Sequence, residues 1–157
     1  MGILIRLGDA ADVDAAVSLF EQSNLARRRG VWPDRVARVE RARTHLRDPG
    51  TWFLLATDRV VVGMASAEAS RGDDGAGPVI PRGCFLNLLF VVPERWGEGI
   101  GGAILDAVLA EARRRQYSRI HLWTHEDNER SHRLYRRGGF SPTGRTAEGE
   151  GEWAREL

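Results

Sequence analysis

The segment from Leu88 to Gly102 constrains the fold of this chain more than any other. An apolar stretch ends at Pro93, and a turn follows in which four of the six residues 97–102 are glycine, where a helical pattern begins. Glycine allows the backbone to approach a ligand closely, and the first turn of a helix presents unpaired N–H groups and the positive end of the helix dipole. The sequence therefore predicts a buried strand that leads into an anion-binding turn, suited to a phosphate or pyrophosphate.

Hydrophobic periodicity places this segment in the middle of one mixed α/β domain that spans residues 1–157. The predicted helices cover residues 10–27, 33–47, 100–116 and 128–137, and the predicted strands cover 3–7, 51–57, 60–70, 84–92, 119–124, 140–146 and 151–157. Residues 71–81 contain three glycines and two prolines and are predicted to form a loop. The strand over 84–92 is nearly all apolar, which is typical of a strand covered on both faces.

The composition is that of an ordinary globular protein, with 42% hydrophobic and 29% charged residues. The longest apolar runs are far shorter than a membrane span, and the first residues lack the pattern of a signal peptide, so we expect a cytoplasmic protein with no membrane partner. The single cysteine, Cys84, excludes an internal disulfide, and its apolar strand predicts an inert core residue. The four histidines show no convincing ligand spacing, so no metal site is predicted.

All 23 basic residues are arginine, because the sequence contains no lysine. This excludes Schiff-base catalysis on a lysine and a phosphate loop that ends in lysine. Eight arginines fall within residues 27–48 and four glutamates within residues 148–157, and either group could contact a substrate, although the net charge of +1 argues against a nucleic-acid binder. In the second helix, the side chains expected to face inward are Val36, Val39 and Leu46, and those expected on the outer side are Arg35, Arg38 and Arg41.

The glycine turn also satisfies the dinucleotide-binding pattern G-x-G-x-x-G at Gly97, Gly99 and Gly102. In a dinucleotide-binding fold the pattern follows its strand directly, and an acidic residue about 20 positions later binds the ribose. Here residues 93–96 intervene, and the next predicted strand contains no acidic residue. A dinucleotide-binding reductase is therefore the less favoured interpretation.

Two motifs resemble those of the GNAT family of N-acetyltransferases. The run from Val91 to Gly101 is similar to the family pattern V-x-P-x-x-[QR]-x-x-G-x-[GA], with Trp96 in place of the usual glutamine or arginine. The run from Asn128 to Phe140 is similar to N-x-x-[AS]-x-x-x-Y followed by a glycine and an aromatic residue. The order of predicted elements agrees over the whole chain, and the specific motifs lie within residues 88–140.

The resemblance implies a fold, a co-substrate and a set of contacts. The implied fold is a mixed, mostly antiparallel twisted sheet of about seven strands flanked by about four helices, and acetyl-CoA is the implied co-substrate, with no metal. Tyr135 is the implied acid that protonates the leaving thiolate, and Arg95 is a further source of charge beside the pyrophosphate. The residues implied to contact acetyl-CoA are Phe90, Val91 and Val92 along the strand, Trp96, Gly97, Glu98, Gly99, Ile100, Gly101 and Gly102 at the pyrophosphate, and Asn128 and Ser131 at the pantetheine arm.

The general base is not defined by the motifs. The strand over 84–92 contains Asn87 but no carboxylate, and the candidates elsewhere are Glu68, His121 and Glu126. The expected activity is transfer of an acetyl group to a primary amine of a small molecule or peptide, by direct attack in a ternary complex. A CoA-binding sensor or structural protein of the same fold is the alternative, and formation of a homodimer stays open.

Overall fold

The computed structural model describes residues 2–157 of the chain. Within them lie seven strands and four α-helices. The strands are β1 (Leu4–Leu7), β2 (Trp52–Asp58), β3 (Val60–Arg71), β4 (Val79–Val91), β5 (Arg119–His125), β6 (Ser141–Ala147) and β7 (Glu150–Glu156). The helices are α1 (Val13–Arg27), α2 (Arg35–Arg47), α3 (Ile100–Arg114) and α4 (Glu129–Arg137). These elements follow the predicted order, and the mixed α/β fold is confirmed.

The strands form one sheet in the order β1-β2-β3-β4-β5-β7-β6. Every neighbouring pair is antiparallel except β4 and β5, which run parallel in the middle of the sheet. Parallel neighbours need a crossover, and α3 provides it because it lies between β4 and β5 in the chain. The sheet is thus mixed and mostly antiparallel, as predicted.

Helices α3 and α2 lie on opposite faces of the sheet. This follows from β3, because successive side chains of a strand point to opposite faces. On one face, α3 packs so closely on Gly63 that a Cβ atom there would lie 2.5 Å from the Cδ1 atom of Ile104. On the other face, the hydroxyl of Ser66 lies 3.1 Å from the Nε2 atom of His45 in α2. The central strands are therefore covered on both faces over part of their length.

A capping box precedes α1. The Asp9 carboxylate accepts a hydrogen bond of 2.9 Å from the N–H of Ala11, and the Asp12 carboxylate accepts one of 2.9 Å from the N–H of Asp9. These reciprocal bonds form a capping box around a single 3₁₀ turn that leads into α1. Capping of this kind fixes the direction in which α1 leaves β1.

Two parts of the structure differ from the sequence prediction. Helix α2 begins at Arg35 rather than Pro33, and Val36 is 77% exposed instead of facing inward, whereas Leu46 is buried. At about 100° per residue, Val36 lies about 80° around the helix from Leu46, so its side chain does not point to the side of α2 that is buried. Strand β4 begins at Val79, inside the predicted loop, because Val79 pairs with Arg71 of β3.

Candidate active site

A cleft of about 1610 Å³ opens where the two parallel strands separate. In β4, Leu86 and Leu88 pair with consecutive residues of β3, so that Asn87 is an extra residue in a β-bulge. The pairing of β4 with β5 ends just before this point, at Phe85 and His121. A bulge bends its strand, and here the bend coincides with the loss of pairing, so that β4 and β5 form the two sides of an open cleft. The predicted burial of both faces therefore fails beyond the bulge, where β4 lines the cleft.

The glycine turn lies at one end of this cleft. Gly97 and Gly99 have φ angles of 87° and 84°, a backbone conformation that disfavours other residues. Gly99 precedes α3 and provides no side-chain cap, and Gly97, Gly99 and Gly102 have no atom within 4 Å of the position that a Cβ atom would occupy. The helix therefore begins with uncapped N–H groups beside open space, which is the arrangement that binds an anion.

The side chains of Trp96, in the turn, and Arg130, in α4, stack on each other beside the glycines. The indole N–H of Trp96 donates a hydrogen bond of 2.8 Å to the carbonyl of Val91, and the guanidinium of Arg130 in α4 lies 3.7 Å from the centroid of the Trp96 ring. Burial lowers the pKa of Arg130, and the charge of Arg133 lowers it further, but an arginine stays charged. At position 96 this chain has tryptophan where the family pattern has glutamine or arginine, and Arg130 of α4 places a positive charge beside it.

Arg95, expected from the sequence to supply charge at this turn, is already paired. Its guanidinium lies 2.8 Å from the Glu98 carboxylate and 3.1 Å from the Asp58 carboxylate. These bonds raise the pKa of Arg95 and neutralise its charge locally. Arg130, and not Arg95, therefore has a positive charge without an acidic partner among the described residues at this turn. The motif could not have predicted this, because position 130 is one at which the motif allows any residue.

Three residues of the second motif lie on or next to α4 and line the cleft: Asn128, Ser131 and Tyr135. Asn128 caps α4, because its side-chain oxygen accepts a hydrogen bond of 3.2 Å from the N–H of Ser131. Tyr135 is 7% exposed, and its ring packs edge-on against Phe140 at 5.6 Å. Burial raises the pKa of Tyr135 well above that of a free phenol, so its hydroxyl keeps its proton and can act as a donor.

Most of the residues predicted to contact the co-substrate line the same cleft. Those that do are Phe90, Val91, Trp96, Gly97, Gly99, Ile100, Gly101, Gly102, Asn128 and Ser131. Val92 does not, because its side chain is buried and its N–H donates to the carbonyl of Val62 at 2.9 Å. Glu98 does not, because its carboxylate is turned towards Arg95.

The structure does not bring the predicted base candidates to the cleft lining. Glu68 is half-buried on β3, and Glu126 is exposed after β5. The Nδ1 atom of His121 lies 3.0 Å from a carboxylate oxygen of Glu152, which is 3% exposed and also accepts a hydrogen bond of 2.8 Å from Thr143. This His121–Glu152 pair joins β5 to β7.

His45 is a cleft residue that the sequence patterns did not reveal. Its Nε2 atom lies 3.1 Å from the Nδ2 atom of Asn87 and 3.1 Å from the hydroxyl of Ser66, and its Nδ1 atom lies 3.5 Å from the hydroxyl of Thr51. An amide nitrogen can only donate, so Nε2 accepts and the ring proton lies on Nδ1. His45 and Asn87 are 42 positions apart in the sequence. No local pattern joins them.

The surroundings of His45 keep it neutral near pH 7. Burial lowers the pKa of His45 below its ordinary value, and the nearby carboxylates of Glu68 and Asp48 oppose this shift only in part. A neutral imidazole beside the bulge residue of an open cleft can accept a proton at Nε2 when a substrate amine or a water molecule replaces Asn87 as its hydrogen-bond donor. His45 is therefore a candidate general base.

Other reactive side chains do not form a second site within residues 2–157. Cys84 is fully buried, and burial raises the pKa of its thiol to about 12, so it is not a nucleophile at neutral pH. Within the same residues no group of three histidine, cysteine or acidic side chains could hold a metal ion. None of the described helices is both long enough and apolar enough to cross a membrane.

A family comparison and structural comparisons agree with this geometry. The model of the acetyltransferase (GNAT) family matches residues 16–140 of the chain. No curated protein matches the sequence.

Several solved structures have the same fold at low sequence identity. PaiA N-acetyltransferase from Thermoplasma acidophilum, in complex with coenzyme A, has a TM-score of 0.77 at 15% identity, with 100% of both chains covered. YncA from Salmonella typhimurium, with its cofactor acetyl-CoA, has a TM-score of 0.72 at 22% identity, covering 100% of this chain and 95% of that one. Ribosomal-protein-alanine N-acetyltransferase from Brucella melitensis has a TM-score of 0.72 at 24% identity, covering 98% and 99%.

Proposed function

The chain belongs to the GNAT acetyltransferase family, and we propose that it transfers the acetyl group of acetyl-CoA to a primary amine of a small molecule or peptide. The observation that carries the proposal is the single cleft that joins the glycine turn, the opening between β4 and β5, and the buried phenol of Tyr135. A long, thin co-substrate with a phosphate group fits such a cleft. Neighbours of the same fold hold coenzyme A or acetyl-CoA, which supports the choice of co-substrate.

The residues at the glycine turn fit a pyrophosphate. Uncapped N–H groups at the start of α3 would donate to its oxygens, and Arg130, stacked on Trp96, would add a positive charge. Asn128 still has its side-chain NH₂ group free to donate, since only its oxygen is used in capping α4. Asn128 and Ser131 are therefore proposed to hold the pantetheine arm.

Acetyl-CoA, when bound, supplies the thioester carbon that a neutral amine attacks, so that a C–N bond forms and the C–S bond breaks. The amine must lose a proton, and His45 is proposed to accept it at Nε2, directly or through a water molecule, in place of the hydrogen bond from Asn87. The sulfur must gain a proton, and Tyr135 is proposed to donate it from the phenol. A phenol of raised pKa is not ionised at neutral pH and so is available for this step.

Binding of acetyl-CoA is tested at Gly102, where a new side chain would enter open space. Gly102→Glu places a carboxylate beside the uncapped N–H groups and should weaken acetyl-CoA binding by at least tenfold through charge repulsion. Gly102→Ala is the matched control for the added Cβ atom, because its methyl group adds no charge and meets no protein atom within 4 Å, and it should weaken binding less than Gly102→Glu does. Isothermal titration calorimetry measures both affinities. Equal affinity of Gly102→Glu and the parent would place the pyrophosphate elsewhere.

A further inference from the structure

The end of α1 and the side of α2 that faces the cleft contribute unpaired arginines to the cleft. Arg28, Arg38 and Arg41 line it, although Arg38 and Arg41 were expected on the outer side of α2. Within residues 2–157, no carboxylate oxygen lies within 4.0 Å of a guanidinium nitrogen of these three residues. Arg35 and Arg43, which do not line the cleft, are both paired with carboxylates. Arg35 and Arg43 of α2 thus pair with acidic residues of α1, whereas Arg28 and the two cleft arginines of α2 have no acidic partner within the described residues.

Two buried donors among these residues lack an acceptor. The Nε atom of Arg28 and the Nε1 atom of Trp32 are both buried, and neither has a hydrogen-bond partner among the described residues. The two side chains are neighbours, since the Arg28 guanidinium lies 5.5 Å from the centroid of the Trp32 ring, and both line the cleft. Buried donors are nearly always paired, and these two belong to adjacent side chains that line the cleft. Neither donor atom is exposed, so a ligand that brings its own acceptors reaches them when the side chains rotate towards the cleft.

We propose that the amine substrate carries a carboxylate, and that Arg28 and Trp32 bind this group. A planar carboxylate offers two oxygens to guanidinium and indole N–H donors, and an arginine binds it more strongly than it binds a neutral acceptor. Arg38 and Arg41 raise the positive potential of the same side of the cleft. The inference rests on the proposed acetyltransferase function and narrows its substrate to the class of amino acids and related amino-carboxylates.

The acidic residues of the cleft agree with a substrate that has both charges. Glu148 and Glu150, on and next to the hairpin turn between β6 and β7, also line the cleft. Burial lowers the pKa of Arg27, the positive charge of Arg28 lowers it further, and Glu150 and Asp127 oppose the shift. Positive and negative side chains therefore border one cavity, which suits the two charges of an amino acid before its ammonium group loses a proton.

Acetyl transfer to matched acceptors tests the inference. Release of the CoA thiol is measured with each of the twenty standard L-amino acids and with its carboxamide, which keeps the amine and removes the carboxylate charge. For the best acceptor, kcat/KM of the acid should exceed that of the carboxamide by at least tenfold. Arg28→Gln should raise KM for the acid and abolish this preference, without changing the affinity for acetyl-CoA measured by calorimetry.

Two further variants separate loss of recognition from loss of structure. Trp32→Phe keeps an aromatic ring in the core beside Phe20 and removes only the N–H donor, so it should reduce the preference for the acid. Arg35→Gln removes a charge from the paired side of α2 and should behave as the parent does. Thermal unfolding of each variant shows whether the fold is retained.

The outcomes distinguish the inference from the function on which it rests. Equal use of acids and carboxamides, transfer only to amines without a carboxylate, or an unchanged preference in Arg28→Gln would overturn the inference and leave the acetyltransferase function intact. Weaker acetyl-CoA binding in Arg28→Gln would assign Arg28 to the co-substrate and would also overturn it. Absence of transfer to amino acids, carboxamides and a general amine panel would contradict both.

Discussion

Tyr135→Phe is expected to lower kcat by about 10²–10⁴-fold, the usual contribution of general acid catalysis, while acetyl-CoA binding stays within about threefold of the parent. The phenol would protonate the sulfur as it leaves, an interaction made in the transition state and not in the bound ground state. Removal of the hydroxyl leaves the ring against Phe140, so the fold should be retained. Steady-state kinetics of thiol release and calorimetric titration with acetyl-CoA give the two quantities.

The chain contains one other tyrosine, which provides a matched control. Tyr117 does not line the cleft, and it packs against the hydrophobic core. Tyr117→Phe removes the same hydroxyl and should leave kcat within about threefold of the parent, well below the contribution of a general acid. If Tyr135→Phe gave a kcat equally close to the parent, Tyr135 would not be the acid, and water or another group would protonate the thiolate.

His45→Gln is expected to lower kcat by a similar factor, about 10²–10⁴-fold, because glutamine can accept the hydrogen bond from Asn87 but cannot take up a proton. In the parent, kcat should fall as the pH drops through the pKa of His45, which burial has moved below about 6.5, because the protonated imidazole is no longer a base. Activity is therefore complete above this pKa and lost below it. In His45→Gln the decline assigned to His45 should disappear.

A pH profile separates this role from a structural one. A merely structural loss would lower kcat at every pH and leave the shape of the profile unchanged. If kcat of His45→Gln, measured at saturating amine and acetyl-CoA, still fell at low pH as it does in the parent, a group other than His45 would be the one that titrates. Glu68→Gln is the matched control, since Glu68 lies near His45 but does not line the cleft, and the reduced negative charge should shift this fall in kcat to lower pH without removing it.

Motifs that are continuous in the sequence pointed to residues that line the cleft. The run from Val91 to Gly101 contains both the end of the strand and the turn, so a strand that leads into a glycine-rich turn could be predicted before the fold was known. Asn128, Ser131 and Tyr135 are spaced at three and four residues, which places them along one side of a helix. The family resemblance singled out these residues, and local periodicity and turn chemistry were sufficient for the order of the helices and strands.

Local sequence patterns could not predict contacts between segments that are far apart in the sequence. The pairing of His45 with Asn87 depends on a bulge in β4, and a bulge is fixed by the register with β3, which no local pattern specifies. Likewise, Arg95 was placed at the pyrophosphate because it lies next to Trp96, whereas the fold pairs it with Asp58. Arg130 reaches the same turn from α4. Charged side chains near a motif can therefore be assigned only after their partners are known.

The same limit applies to the predicted bases. Glu68 and Glu126 were candidates because a carboxylate is a common proton acceptor, yet neither lines the cleft. His121 was a candidate because of its residue type, and Glu152 holds it between β5 and β7. Residue type alone does not distinguish a proton acceptor from a structural hydrogen-bond partner, and the position of the side chain relative to the cleft is needed as well.

Amine-dependent release of the CoA thiol tests the central claim most directly. Purified protein is mixed with acetyl-CoA and a panel of amines that includes amino acids, their carboxamides, polyamines and short peptides, and the acetylated product is identified by mass spectrometry. The account predicts thiol release that depends on at least one amine, equals the amount of acetylated amine formed, and falls by about 10²–10⁴-fold in Tyr135→Phe. Tight binding of acetyl-CoA with no thiol release above the protein-free rate for any amine would contradict it and would favour a CoA-binding sensor of the same fold.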